Sequence, residues 1–209
     1  MPGIKVSLRE DHVFINCPFD TDYKPLFEAI VFVVHAAGFI ARSALEVDDG
    51  SENRLEKIMR LMAECKFGVH DISRTELDPL HHLPRFNMPF ELGLFLACKR
   101  FGGKQQSGKG CLILDRLPHR YQQFLSDIAG QDIASHGNSR EEVIRCVRNW
   151  LRTASGRANI PGATLIIARY AAFQEDLPSA CQGLKIAVAE MTFADLVHVT
   201  SDWLSQHHP

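Results

Sequence analysis

Asn87-Met88-Pro89-Phe90-Glu91-Leu92-Gly93 places one carboxylate at the opening of an apolar helix, just after a strand. Phe90, Leu92, Leu94, Phe95 and Leu96 predict that this helix is largely buried, and Gly93 predicts close approach to a neighbour. In such a setting Glu91 is either an N-terminal charge favoured by the helix dipole or a reagent. As a reagent it suits attack on, or stabilisation of, an electron-poor carbon. Cleavage of an N-glycosidic bond passes through an oxocarbenium-like ribosyl centre, which a carboxylate on one face stabilises or traps.

Such chemistry needs companions, and the ends of the other strands supply them. A second acid or amide must hold the departing base or the ribose hydroxyls, and Asp71 and Asn16 are the best placed. Arg42 or Arg74 would take phosphate charge by bidentate pairing. Asp20, Ser43 and Asn87 complete the predicted polar cleft, with Pro18, Glu46, Ser73, Asp115 and Arg116 beside them. Each has a plainer reading. Asp71 closes the turn after its strand, Arg42 pairs with Glu46, Asn16 forms a local side-chain turn, and Asp20 caps the helix that follows.

The elements that would gather these residues follow from the alternation of short apolar runs with segments of helical period, the pattern of βαβ units and a parallel sheet. Strands are predicted at His12–Cys17, Phe39–Ala44, Phe67–Asp71 and Cys111–Asp115, with a weak fifth at Gln131–Ala134. Helices are predicted at Tyr23–Ala37, at Glu52–Cys65 with Ser51 as cap, from the Glu91 segment to about Arg100, at Arg120–Ala129, and from Ser139 through Leu151. On the second helix Leu55, Ile58, Met59 and Met62 line one face. The expected architecture is a five-stranded, parallel, flavodoxin-like sheet flanked by helices, whose ligands sit at the carboxyl ends of the strands. After a Gly/Ser/Pro-containing linker at Thr153–Gly162, the tail 153–209 reads as a mainly helical extension to domain 1–152. Its helices are Ala163–Phe173 and Phe193–Leu204, packing on the sheet domain or on a second subunit.

Composition sets bounds on function. The 209 residues carry a net charge of −2, which lacks the electrostatic footprint of a nucleic-acid binder. There is no run of 18 or more apolar residues, and the opening Met1-Pro2-Gly3-Ile4-Lys5-Val6 runs into Arg9-Glu10-Asp11, so a soluble, cytoplasmic protein without membrane contact is expected. The six cysteines are scattered and read as reduced core residues, and the ten histidines lack helical ligand spacing, so no metal is expected. Gly103-Lys104-Gln105-Gln106-Ser107-Gly108-Lys109 nearly spells a phosphate loop, but Gly110 stands where Ser or Thr is needed. It reads as a flexible surface loop. Tyr121, Phe124 and Trp150 read as core aromatics.

Phe90-Glu91-Leu92-Gly93, following the third strand and a polar loop, is similar to the Tyr-Glu-Leu-Gly segment of the nucleoside 2-deoxyribosyltransferase and deoxynucleotide N-hydrolase family, whose Glu attacks the anomeric carbon. Val13-Phe14-Ile15-Asn16 with Phe19-Asp20 and Tyr23 resembles the opening of a TIR domain, a group that places a catalytic Glu on the helix after strand three. The resemblance covers residues 12 to about 135. In place of the hydrolases' Gly-rich loop stands Cys17-Pro18-Phe19-Asp20, and Asn87-Met88-Pro89 replaces the residues many TIR domains carry before their Glu. The resemblance implies a nucleotide N-glycosidic-bond-cleaving enzyme with NAD, a nucleoside or a deoxynucleotide as substrate and no separate cofactor. It also implies a homo-oligomer and a setting in bacterial antiphage defence. The competing class is a non-catalytic module of the same fold that binds a nucleotide signal or a partner protein.

Overall fold

The computed structural model describes residues 7–46, 49–77 and 82–207. A sheet of five parallel strands forms its centre: β1 (Arg9–Asn16), β2 (Ile40–Ser43), β3 (Cys65–Asp71), β4 (Gly110–Asp115) and β5 (Ile133–Ser135), in the order β2-β1-β3-β4-β5. This is the flavodoxin-like α/β arrangement expected from the alternating pattern. His81 of the loop pair His81-His82, and Asp48 of Asp48-Asp49-Gly50, where the sequence expects a turn, lie outside the described residues.

In the parallel register Asn16 sits beside His70, and Ile15 beside Ser43 and Val69. Successive side chains therefore divide between two layers. Phe14 and His70 face α2 (Arg54–Glu64) and α3 (Asn87–Phe101), where His70 packs 4.8 Å from the Phe95 ring. Val13, Ile15, Phe67 and Val69 face α1 (Lys24–Ala36) and α4 (Arg140–Ser155) in the main core.

Every residue of α1 from Leu26 to Val34 is buried, which a helix on one face of a sheet does not achieve. The reason is a third layer. Helices α5 (Ala163–Gly183) and α6 (Phe193–Gln206) cover the outer side of α1, with the Phe32 ring 5.2, 5.1 and 6.0 Å from Tyr170, Phe173 and Trp203. The C-terminal extension thus packs on the sheet domain and shares its core. Pro178 lies inside α5, and the helix continues through it, because Phe173, Leu177 and Cys181 recur on one buried face. Leu177 and Pro178 are therefore helical, and α5 runs past the expected end at Phe173 to Gly183.

Other expectations need correction. Ser51 does not cap α2. Asn53 does, accepting from the Leu55 and Glu56 amides at 2.9 and 3.3 Å, and the turn of the helix leaves Leu55 and Met59 exposed while Ile58, Leu61 and Met62 are buried. The predicted helix at Arg120–Ala129 forms only two 3-10 turns, Arg120–Gln123 and Ser126–Ile128. The Arg120 guanidinium is committed to long-range partners: Asp115 at 2.5 Å, Thr75 Oγ1 at 2.6 Å and the Ser73 carbonyl at 2.8 Å. The Gly103–Lys109 segment is no loose loop either. Lys109 is 1% exposed, and its Nζ donates to the Met62 and Cys65 carbonyls at the end of α2 while lying 4.8 Å from the Phe95 ring. No helix among the described residues is long and apolar enough to cross a membrane.

Candidate functional site

Strand β1 ends at Asn16, and the carboxyl edge of the sheet is organised around that exit. The Asn16 amide donates to the Met88 carbonyl at 2.9 Å and lies 3.0 Å from His70 Nδ1, tying the first turn of α3 to the sheet. Both partners are buried, so Asn16 positions this helix instead of presenting its amide to solvent. One turn further along α3 comes Glu91. It lies past the first turn, neither capping the helix nor pairing with its opening amides. Its side chain is 9% exposed and makes no hydrogen bond or ion pair to another described residue. Burial pushes the carboxyl up to about 7, with the Arg54 charge opposing.

The neighbours of Glu91 differ from the predicted ones. Gly93 faces open space, and Phe90 is 54% exposed, so α3 buries only the stripe of Met88, Glu91, Leu92 and Phe95. The close approach expected of Gly93 does not occur among the described residues. Cys17, just beyond β1, feels Asp71, Glu91 and Asp20, which together with burial raise its thiol well above the usual range. Three predicted carboxylates therefore surround one point on the sheet edge. They do not share one cleft.

Asp71 lies on the opposite face from Glu91 and is fully enclosed. Tyr23 Oη donates to its Oδ2 at 2.5 Å and the Ser73 amide to its Oδ1 at 2.8 Å. His136 Nε2 stands 3.0 Å from Oδ2, off the hydrogen-bond direction. The Asn138 amide donates to His136 Nδ1 at 3.0 Å, which orients the ring beside Asp71. Asp71 thus clamps the exits of β3 and β5 to the start of α1.

Two further candidates meet each other. Asp20 caps the following turn by accepting from the Tyr23 amide at 3.0 Å, and it pairs with Arg74 at 2.6 Å. Arg74 also reaches Asp22 at 3.2 Å. Arg42 stands apart on the edge strand, bidentate to Glu46 at 2.7 and 2.5 Å and 2.7 Å from His12 Nδ1. Ser43 is buried, its hydroxyl accepting from the Leu45 amide. Asn87 opens α3 from an exposed position. Arg42 and Ser43 therefore hold the fold, as the plainer reading of Arg42 had it.

A cavity of about 500 Å³ lies between the segment after β3 and the start of α3, at Thr75, Phe86, Pro89 and Arg120, and two more flank the start of α1. One, of about 240 Å³, lies between the β1–α1 connection and the C-terminal extension, with Pro18, Phe19, Phe27, Leu45, Phe193 and Leu196 among its walls and Asp20, Lys24 and Glu28 at its rim. The other, of about 470 Å³, lies between the starts of α1 and α4 and holds Arg74, Arg116 and Arg140. Residues 193 and 196, and Arg140 and Asn138, carry no motif that marks them in the sequence. They reach the edge only because their helices pack there. The group of His, Cys, Asp and Glu needed for a metal does not assemble among the described residues. Compared with known proteins, the chain matches no family model and no curated relative, so the geometry of this edge carries the functional reading.

Proposed function

We propose that the chain cleaves the N-glycosidic bond of a nucleotide, with Glu91 as the carboxylate that meets the ribosyl centre. The observation that carries this reading is a buried carboxylate on α3 with no partner among the described residues, held at the carboxyl edge of the sheet by the Asn16–Met88 contact. An unpaired buried carboxylate is costly to keep, and such groups concentrate where chemistry uses them. Ionised above pH 7, Glu91 stabilises or traps the electron-poor anomeric carbon as the base departs. The likeness to TIR-like and deoxyribosyltransferase-like enzymes agrees with this assignment, suggests NAD, a nucleoside or a deoxynucleotide as substrate, and suggests a role in antiphage defence by a homo-oligomer.

One observation favours the second reading, a nucleotide-binding or interaction module without catalysis. Asp71, the second acid expected to assist, is consumed by the Tyr23 hydroxyl and the Ser73 amide. The test is to incubate the protein with NAD, nucleosides and deoxynucleotides and measure released base by chromatography. Release should fall by about 10²–10⁴-fold in Glu91→Gln while circular dichroism stays unchanged. Release that survives the substitution overturns the assignment. Absence of release together with a nucleotide-dependent rise in melting temperature selects the binding module.

A further inference from the structure

We infer that the cleft between the start of α1 and the N-terminus of α4 binds a phosphate-bearing small molecule. This rests on different residues from the glycosidase reading and on the other face of the sheet. The cavity measures about 470 Å³, within the range of small-molecule sites. Its walls include Tyr23, Ser73, Arg74, Arg116, Asn138 and Arg140. The arginines come from three separate elements: the segment after β3, the segment after β4 and the first residue of α4.

Three guanidinium groups face a single lining carboxylate, Asp22, which is 86% exposed. Their donors are unequally spent. Arg74 is held by Asp20 and Asp22, and Arg116 pairs with Glu76 through Nη1 while its buried Nε has no partner among the described residues. Arg140 makes no direct ion pair with another described residue; it shares a hydrogen bond with the Tyr170 phenol and feels the Glu28 and Glu141 carboxylates at longer range. Arginine presents a planar fork of donors that matches phosphate oxygens two at a time. The 16-residue α4 starts on the same side, its positive dipole end already partly met by the Ser139 cap and by Glu141 and Glu142 in its first turn, so the arginines carry the site.

The floor of the cleft is already rigid. Tyr23 and the Ser73 amide are fixed on Asp71, and the Asn138 amide is fixed on His136. A ligand would therefore meet a formed site without ordering a loop.

Calorimetric titration of the full chain at near-physiological salt tests this with pyrophosphate, adenosine diphosphate and adenosine as probes. Both phosphate compounds should bind and compete with each other, and adenosine should not displace pyrophosphate. Arg140→Gln and Arg116→Gln should each weaken pyrophosphate by about tenfold, the loss of one charge-assisted contact, and the double variant should abolish it. Arg60→Gln, on α2 at the other face, and Glu91→Gln should leave pyrophosphate affinity unchanged. The inference is overturned if neither phosphate compound binds, if adenosine displaces pyrophosphate as well as the diphosphate does, if the double variant binds pyrophosphate like the parent, or if Arg60→Gln or Glu91→Gln weakens pyrophosphate binding equally. Because the readout is binding, its failure leaves the Glu91 assignment standing, and loss of base release in Glu91→Gln leaves this one standing.

Discussion

Glu91 carries a penalty that can be read as stability. Its folded-state value of about 7 lies above the ordinary 4.5, so folding takes up a proton between these two values. The stabilising contribution is complete below pH 4.5 and is lost as pH rises through 7, where the buried charge must be borne without a partner. Glutamine avoids that cost. Glu91→Gln is expected to be more stable than the parent by about 2–3 kcal/mol at pH 8, with the difference closing toward pH 4.5; urea melts at the two pH values check it. A variant less stable at pH 8 would mean that the carboxylate has a stabilising partner. Asp71 is the opposite case, a buried acid whose oxygens are satisfied. Nothing in Asp71-Ile72-Ser73 distinguishes it from a reagent, because its Tyr23 partner lies 48 residues away.

At the scale of elements, the strands and most helices follow from local pattern. Two of the exceptions share a cause: a side chain was claimed by a distant group. Arg120 gives up helical continuity to brace Asp115, Thr75 and Ser73. Lys109 leaves what reads as a glycine-rich surface loop to close the carbonyl end of α2. Burial lowers the affinity of its ammonium for its proton, yet the carbonyls of Met62 and Cys65 and the Phe95 ring receive it. Lys109→Met keeps the stem volume but leaves those carbonyls without their donor. It should cost about 2–4 kcal/mol, measured by denaturant unfolding, and a neutral result would show that the carbonyls are satisfied by solvent. The exposed Leu55 and Met59 show the limit of helical periodicity. A spacing that fits one stripe does not say which stripe meets the sheet.

At the scale of the molecule, the extension beyond residue 153 completes the core, and its removal should not yield a trimmed sheet domain. Phe32 on α1 meets Tyr170, Phe173 and Trp203, and the Trp203 indole donates to Asp176 at 2.8 Å, locking α6 onto α5. Phe173→Ala is expected to destabilise by about 3–5 kcal/mol, seen as a lower melting temperature with single-transition unfolding retained. If the sheet domain melted independently of the extension, two transitions would appear instead. Met191, Thr192, Phe193 and Leu196 also wall the apolar cavity, so the extension contributes both to stability and to the sheet edge.

The sequence by itself determined what depends on neighbours along the chain. Alternating apolar periods specify a parallel five-stranded sheet, and the apolar run around Glu91 places a carboxylate on the helix after strand three. Tertiary structure alone decided which polar groups are spent and which remain available. Arg42, Asp20 and Asp71 found partners, while Glu91 was buried without one among the described residues, and Arg140 was brought beside Arg74 and Arg116. The physical reason is that a charged side chain's role is set by the groups within a few ångströms of it. Those groups come from strands and helices far apart in the chain.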